Sequence, residues 1–294
     1  MQSSQIMSDS ISNYYTPTQC ELAKDMLAFT SELPSGAGLD WVKDQSFLFH
    51  FEAARLVLMR DAILEAGISQ SQPLRILDFG YLHGLVPEFL HRFFPNAQFV
   101  VQDHPDSPNF RNPEYLALIR RRNYLTLQPQ DISDWSPPDE KFDVIVLGEL
   151  IEHLDPTAVA RFLKALRVCV KPEGVLIVTT PNAAGLYNCL LTLLGREGVV
   201  APPIPDSIMN YGHIHLWSPR VLAQTAECFG WRARQVFYFH GREGEAFERS
   251  SKHWGSLIHQ IMIRAVKFAA TMKPKLRGFY VASFKPDPGN GQPV

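Results

Sequence analysis

The chain has 294 residues, of which 46% are hydrophobic and 20% are charged, and 28 Lys and Arg against 30 Asp and Glu give a formal net charge of −2. This length allows one large domain or two small ones, and the hydrophobic fraction excludes a disordered chain. The near-neutral balance lacks the basic character of nucleic-acid binders, so we expect no nucleic-acid partner. The four cysteines form no C-x-x-C pair, which indicates neither a disulfide framework nor a zinc knuckle.

The sequence shows no pattern typical of an export signal or of a membrane-spanning helix. No basic residue precedes Lys24 and no apolar run lies near it, whereas a secretory signal needs both. The most apolar late stretch, 257–272, is interrupted by polar residues and is shorter than the ~20 apolar residues of a spanning helix. We therefore expect a cytoplasmic protein without a membrane span. The sequence does not indicate an oligomeric state.

The first 73 residues are predicted to form an N-terminal arm and a helical cap. Residues 1–19 are polar and rich in Ser, Gln and Tyr, which is typical of a mobile arm. Two helical patterns follow. In the second, apolar residues recur every three to four positions from Phe47 to Ala66, and Gly67 supplies a left-handed stop.

From residue 74 onward, short β-rich runs alternate with helical patterns, which predicts β-α-β units on a parallel sheet. Helices are predicted over 85–94, 156–170 and 256–272, and a further one opens at Ser218-Pro219. The last two strands are separated by a loop and one helix, so we predict an α/β, Rossmann-like sheet with an added terminal strand pair. The predicted strands are 75–78, 98–102, 124–128, 142–147, 175–180, 233–239 and 278–284.

Acidic residues and glycines follow the first three predicted strands. Asp78 precedes Gly80 and Gly84, and such a turn lets a ligand approach the backbone at a helix N-terminus. Asp103 ends the second strand at the spacing at which these folds place a carboxylate on ribose hydroxyls. Asp131, after the third strand, suits an adenine amino group. Each of the three also has a simpler interpretation. The turn at Asp78 would merely connect strand and helix, Asp103 would be an acidic residue of a surface turn, and Asp131 would be an acidic residue of a loop.

These segments, in this order, resemble the class I S-adenosylmethionine-dependent methyltransferases, in particular the small-molecule branch that includes ubiquinone-biosynthesis-type enzymes. The resemblance covers 74–286 and implies seven strands in the order 3-2-1-4-5-7-6, strand 7 antiparallel, with helices on both faces. The resemblance depends on Asp78-Phe79-Gly80 with Gly84, Asp103, Asp131-Ile132, 142–146 leading into Glu149-Leu150-Ile151-Glu152-His153-Leu154, 166–182, and His213-Ile214-His215-Leu216-Trp217-Ser218-Pro219. Separately, the Pro-rich stretch 201–211 predicts that 183–217 is a lid or substrate insertion, and the Pro and Gly residues after the last strand predict that 287–294 is a flexible tail.

The resemblance implies a binding site for S-adenosyl-L-methionine, with S-adenosyl-L-homocysteine as product. The implied contacts are Asp78, Gly80 and Gly84 at the amino-acid end, Asp103 at the ribose, Asp131 and Ile132 at the adenine, Gly148 and Glu149 beneath the methionine portion, and Tyr15 with Tyr14 as a cover. The chain departs from the family at Leu82, where the family usually has glycine. A side chain there is expected to crowd the methionine portion, which leaves open a non-catalytic binding module.

A general base accelerates methyl transfer to a hydroxyl group. The candidates for this base are three histidines, His153, His213 and His215. On an extended segment His213 and His215 point the same way. We expect no metal, because this pair lacks a third ligand at a metal-binding spacing. Each histidine also has a purely structural interpretation.

We therefore predict in-line methyl transfer to a small-molecule acceptor, namely to a hydroxyl of a specialised metabolite or of a lipid or sugar intermediate. Carbon and nitrogen acceptors stay open as alternatives. A nicotinamide-dependent enzyme is disfavoured, because no tyrosine is followed four residues later by lysine. The apolar side of 257–272 is predicted to pack on the sheet, with a membrane surface or an apolar substrate as alternatives. The run 120–122 of three arginines is predicted to be a solvated face.

Overall fold

The structure is a computed structural model that describes residues 15–33, 46–80, 84–193, 212–240 and 257–290. Helix α1 (Pro17–Glu32) begins with a capping box, in which the hydroxyl of Thr16 accepts from the amide of Gln19 and the Gln19 side chain accepts from the amide of Thr16. The predicted arm is therefore too long, since residues 17–19 are helical. Helix α2 (Ser46–Glu65) is followed by Gly67 at φ 88°, the predicted left-handed stop.

Seven strands form one sheet in the order β3-β2-β1-β4-β5-β7-β6, which confirms the predicted fold. Strands β1 to β5 run parallel, and β7 is antiparallel to both β5 and β6. The strands are β1 (Leu74–Phe79), β2 (Ala97–Asp103), β3 (Leu125–Pro129), β4 (Phe142–Gly148), β5 (Val170–Pro181), β6 (Trp231–Phe239) and β7 (Phe279–Pro286).

The helices after α2 are α3 (Leu85–Phe93), α4 (Pro108–Arg111), α5 (Pro113–Arg120), α6 (Pro156–Cys169), α7 (Leu186–Leu193), α8 (Pro219–Glu227) and α9 (Leu257–Met272). Helix α6 begins where the sequence predicts it, with Asp155 as N-cap, whose carboxylate accepts from the amides of Thr157 and Ala158 at 2.9 and 3.0 Å. Helices α4, α5 and α7 lie in segments for which the sequence predicts no helix.

Strand β5 is longer than predicted at its start. It begins at Val170, which pairs with Phe142, and it includes the Pro172-Glu173-Gly174 segment, which lies between the predicted helix 156–170 and the predicted strand 175–180. A Cβ on Gly174 would lie 2.9 Å from the carbonyl oxygen of Asp143. Because Gly174 has no side chain, β4 and β5 can approach each other closely at the register irregularity between Phe142 and Val144.

Two hydrophobic cores lie on opposite faces of the sheet, because successive strand residues point to opposite sides. One core joins Ile76 and Val144 to helices α1, α2 and α3. The other joins Leu77 and Ile145 to helices α6 and α8. Phe51 of α2 packs against the sheet, with its ring centroid 4.8 Å from that of Phe279. The N-terminal helices thus complete the core.

Helix α9 differs from the prediction that its apolar side packs on the sheet. Ile261 and Phe268, both on that side, are 57% and 68% exposed. The sheet near β6 and β7 is already covered by α2, as the contacts of Phe51 with Phe239 and Phe279 show. None of the helices in the described ranges has the length and hydropathy that crossing a membrane requires.

Candidate active site

The carboxyl ends of three neighbouring strands bring the predicted cofactor residues to one edge of the sheet. Asp78, the second-to-last residue of β1, lies opposite Val101 and Val146, so Gly80 lies level with the ends of β2 and β4. Gly80 has φ 86° and donates its amide to the carbonyl of Gln102 at 2.9 Å. A Cβ there would lie 3.7 Å from the carbonyl oxygen of Gly148. Glycine here is required by the positive φ rather than by lack of space.

Asp78 is a buried carboxylate with 1% exposure. Within the described part of the chain, neither of its oxygens accepts a hydrogen bond. Burial raises the pKa of Asp78 well above its ordinary value, the charge of Arg55 opposes this shift, and the charge of Asp103 adds to it. A buried acid with both oxygens available is an acceptor for donors that a ligand brings.

Arg55 is a buried cation that α2 inserts at this edge, with 6% exposure. Its Nη1 lies 3.4 Å from the hydroxyl of Thr179, its Nε donates to Glu52 at 3.0 Å, and it forms an ion pair with Glu52. Burial disfavours its charge, but Glu52 and Glu149 outweigh burial and raise the pKa of Arg55. A Cβ on Gly148 would lie 2.9 Å from Nη1, so glycine makes room for the guanidinium.

Arg55 belongs to none of the motifs that the sequence indicates. The available signal was a charged residue within the apolar pattern of α2, between Ala54 and Leu58. A buried arginine is rare unless it is paired, so that position marks a functional or structural ion pair.

Glu149 follows β4 in a left-handed backbone conformation, with φ 52°. This is uncommon for a residue other than glycine and costs about 1 to 2 kcal/mol. Its amide donates to the carbonyl of Thr179 at 3.0 Å and to the hydroxyl of Thr179 at 3.2 Å. The bonds to β5 hold the strained turn, and such strain is typical of functional sites.

Asp103 and Asp131 are connected through His104. The amide of His104 donates to the Asp103 carboxylate at 2.7 Å, and Nε2 of His104 lies 3.3 Å from Oδ2 of Asp131. Nδ1 accepts from the amide of Asp106 at 3.1 Å, so Nε2 carries the proton that faces Asp131. The two acids that the sequence singled out separately therefore form one unit. His104 was missed, because its position after Asp103 carries no motif.

Three polar side chains meet beyond β4. One ligand atom each of Glu152, His153 and His213 lies within 4.8 Å of the others, an arrangement that could hold a metal ion. The two imidazole centroids are 5.0 Å apart. The main-chain carbonyl of Glu152 accepts from the amides of Ile214 and His215 at 2.9 and 3.2 Å, which joins the two segments. Burial, and then the charge of Glu149, raise the pKa of Glu152 well above its ordinary value.

The three predicted histidines are not brought together as a set. His213 contacts His153, whereas the ring of His215 lies 4.7 Å from that of Trp217. The side chains that could hold a metal ion are therefore those of Glu152, His153 and His213, rather than a set built on His213 and His215. Sequence spacing does not indicate this group, because His153 and His213 are far apart in the chain.

The remaining predicted residues lie at the margins of this edge. Gly84, at φ 67°, is the N-cap of α3. Ile132 is half-buried in a short 3₁₀ turn, 132–134. The ring of Tyr15 lies 5.5 Å from that of His50 on α2. Tyr14 and Leu82 lie outside the described residues.

Comparison with known proteins agrees with this fold. The profile of the methyltransferase-domain family matches residues 51–236, which is more than half of the chain. Ubiquinone biosynthesis O-methyltransferase of Rhodopseudomonas palustris is 28% identical over 160 residues, covering 52% of this chain and 60% of that protein. The enzyme of the same name from Bradyrhizobium diazoefficiens is 30% identical over 128 residues, covering 43% and 47%. The chain thus matches about half to three-fifths of the length of these curated relatives.

Solved structures show the same fold at low identity. Coclaurine N-methyltransferase bound to N-methylheliamine and SAH superposes with a TM-score of 0.51 at 15% identity, covering 96% of this chain and 94% of that one. The [4+2]-cyclase SpnF superposes at 0.50 with 15% identity, covering 80% and 82%. One of these proteins is described as a cyclase and the other as an N-methyltransferase, so the fold alone does not define the chemistry.

The strand order, the acids at the strand ends and the family match together define a class I methyltransferase fold. The chain belongs to the methyltransferase-domain family, which confirms the resemblance seen in its sequence. The predicted enzyme class and cofactor, a methyltransferase that uses S-adenosyl-L-methionine, agree with this membership.

Proposed function

We propose that this chain transfers the methyl group of S-adenosyl-L-methionine to a hydroxyl group of a moderately apolar small molecule. The observation that carries the proposal is the buried Asp78, whose two oxygens accept no hydrogen bond from the described residues, at the edge where Asp103, Asp131 and Glu149 also lie. An ammonium group, a ribose diol and an adenine amino group are all donors, so these residues fit the cofactor. When bound, the cofactor supplies a methyl group already activated on a sulfonium.

The nucleoside end is assigned to the acids after β2 and β3. Asp103 is proposed to accept from the ribose hydroxyls and Asp131 from the adenine amino group, with Ile132 against the ring. His104 positions both acids, through its amide on one and its Nε2 on the other. Because one residue bridges the two, loss of its imidazole should weaken adenine recognition more than ribose recognition.

The amino-acid end is assigned to the acids and glycines of β1 and β4. Asp78, with Gly80 and Gly84, is proposed to hold the ammonium, and Gly148 and Glu149 to lie beneath the methionine portion. Arg55 keeps its charge among Glu52, Glu149 and Asp78. Its proposed role is to balance these carboxylates and to offer a guanidinium to the cofactor's carboxylate.

The base is proposed to be the His153 and His213 pair. Nδ1 of His153 lies 3.3 Å from the carbonyl of Gly212, so the tautomer that donates there leaves Nε2 basic. Such a base is expected to contribute about 100- to 10,000-fold to transfer from a hydroxyl. His215 packs on Trp217 and is proposed to be structural.

A hydroxyl acceptor is supported by the relatives. Those named above carry the description ubiquinone biosynthesis O-methyltransferase. Their low identity and partial coverage do not identify the acceptor of this chain. The proposal is therefore limited to the hydroxyl class.

The test is transfer of isotope-labelled methyl to a panel of phenols, catechols and aliphatic alcohols, each with matched amines. We expect product with hydroxyl acceptors only. His153→Asn and His213→Asn should each lower kcat by about 100-fold or more with cofactor affinity unchanged, whereas the matched control His215→Asn should stay within about threefold. Labelled amines, or equal loss in all three variants, would contradict the assignment.

The same assay distinguishes a base from a metal ligand. A chelator should leave turnover unchanged if the Glu152, His153 and His213 cluster acts through protons. Loss of turnover that Zn²⁺ or Mg²⁺ restores would assign the cluster to a bound ion instead.

A further inference from the structure

Helix α9 presents an apolar stripe to solvent. Ile261, Ala265, Phe268 and Met272 follow one another at steps of four, three and four residues, which places them on one face. Ile261, Phe268 and Met272 are 57%, 68% and 67% exposed. Scattered exposed apolar residues are ordinary, but large ones aligned along one helix mark an interaction surface.

The orientation of this stripe is set by the opposite side of the helix. Val266 and Ala270 are 7% and 4% exposed and face the protein. The guanidinium of Arg277 donates to the carbonyl of Ala270 at 3.3 Å and to that of Tyr238 at 2.8 Å, which ties the end of α9 to β6. The helix therefore already has a packed face, and the stripe is a second one.

The sequence segment that contains the stripe carries charge of a single sign. Residues 249–286 contain eight Lys and Arg and no Asp or Glu, although the whole chain has a net charge of −2. Arg264, Lys273 and Lys275 are exposed beside the stripe. A surface that combines apolar side chains with an excess of positive charge is complementary to a lipid surface, which has an apolar interior and anionic headgroups.

We propose that α9 docks this protein onto an anionic lipid surface. The three large apolar side chains enter the boundary between headgroups and acyl chains, and the exposed cations contact lipid phosphates. A second copy of the chain fits less well, because a symmetric contact through this stripe brings the same three cations against their own copies. The inference stands whether or not the proposed methyl transfer is correct.

The docking surface lies next to the candidate active site. Strand β7, which follows α9, pairs its first residue Phe279 with Pro181 at the carboxyl end of β5. The side-chain amide of Asn182 donates to the carbonyls of Lys275 and Arg277 at 3.2 and 2.8 Å. Docking therefore brings the edge that holds the predicted cofactor residues close to the lipid surface.

The test is co-sedimentation of the full chain with vesicles of phosphatidylcholine alone and vesicles containing phosphatidylglycerol at about a third of the lipid. We expect binding to the anionic vesicles at least about tenfold tighter than to the neutral ones, and weaker binding at high salt. Equal binding to both vesicles, or no binding to either, would overturn the proposal.

Two variants separate the apolar from the charged contribution. Ile261→Ser/Phe268→Ser/Met272→Ser should weaken binding at least about tenfold, whereas Val168→Ser/Val221→Ser, at exposed valines of α6 and α8, should not. Lys273→Gln/Lys275→Gln should also weaken it about tenfold, whereas Arg120→Gln/Arg121→Gln removes the same charge elsewhere and should have little effect.

Sedimentation velocity and thermal unfolding of each variant complete the test. All variants should keep the unfolding midpoint of the native chain, because the substituted side chains are exposed. A native dimer that the triple serine variant converts to monomer would assign the stripe to a second copy and overturn lipid docking.

Discussion

At the scale of single residues, the buried carboxylate of Asp78 suits ligand binding but lowers the stability of the ligand-free protein. Its carboxylate is 1% exposed, and burial, partly offset by Arg55, raises its pKa well above the ordinary value. The folded chain therefore holds this proton to higher pH than the unfolded chain does. Ionisation of Asp78 consequently lowers the free energy of unfolding as the pH rises from about 4 toward the folded-state pKa.

We predict that Asp78→Asn stabilises the ligand-free protein. The amide keeps the shape and removes the buried charge, so at pH 8 the free energy of unfolding should rise by about 1 to 3 kcal/mol. The gain should shrink toward pH 4, where the native carboxyl is also neutral. Thermal and urea unfolding across this range measure the effect, and the same variant should lose affinity for the cofactor.

The control is Asp139→Asn, an exposed acid on the loop before β4, which should leave stability within about 0.5 kcal/mol. A destabilised Asp78→Asn protein at pH 8 would mean that the negative charge is favourable in the folded state. The claim that Asp78 lowers the stability of the ligand-free protein would then be wrong.

The strained turn at Glu149 gives a second prediction. Because φ is 52°, a glycine there should relieve a penalty that any other side chain incurs. Glu149→Gly should be more stable than Glu149→Ala by about 1 kcal/mol in urea unfolding. Both variants lack the carboxylate, so their difference reports the backbone alone. Equal stability of the two would show that the turn relaxes without strain.

The positions of the candidate site residues were predictable where strand ends and glycines impose them, whereas their roles stay predictions. Asp78, Asp103 and Gly148 lie at strand ends that meet at one edge, and the parallel topology brings such ends together. Arg55 and His104 were missed for different reasons. Arg55 contacts Thr179, 124 residues away in the chain, and His104 contacts Asp103 through its main-chain amide, which no residue type reveals.

At the scale of elements, Gly174 shows why β5 begins earlier than its hydrophobic run. A Cβ at this position would lie 2.9 Å from the carbonyl oxygen of Asp143 and 3.0 Å from that of Phe142. Both neighbours are backbone atoms, which cannot move away as a flexible side chain can. Proline and glycine are typical of turns, so residue types alone do not place the Pro172-Glu173-Gly174 segment in the strand, where it lies at the register irregularity between β4 and β5.

We predict that Gly174→Ala destabilises the protein by about 2 kcal/mol or more, through overpacking between β4 and β5. Urea unfolding monitored by far-UV circular dichroism measures the change. Gly289→Ala, where the added Cβ would meet only Asp287 Oδ1 at 3.6 Å, should have little effect. A neutral Gly174→Ala would mean that the strand irregularity absorbs the extra atom.

Helix α9 shows the corresponding limit for amphipathic patterns. The sequence correctly groups Ile261, Ala265 and Phe268 on one side of a helix. Periodicity identifies the apolar side but not the element that covers it, and here α2 already occupies the sheet near β6 and β7. The predicted packing partner was therefore wrong although the predicted helix was right.

At the scale of the whole molecule, the fold was predictable because many weak signals agree. Strand spacing, helix caps such as Asp155 and Ser218, and glycine stops independently support the same α/β order. The acceptor was not predictable, because the segments expected to select it carry no motif. Part of the predicted insertion, 194–211, also lies outside the described residues.

The central claim is that the edge formed by β1, β2 and β4 binds S-adenosyl-L-methionine. Titration calorimetry of the full chain with S-adenosyl-L-methionine and S-adenosyl-L-homocysteine, with NAD and NADP as controls, tests it most directly. We predict micromolar affinity for both sulfur nucleotides, a loss of about tenfold or more in Asp103→Ala, and no binding of either dinucleotide. Absence of sulfur-nucleotide binding, or unchanged affinity in Asp103→Ala, would contradict the account.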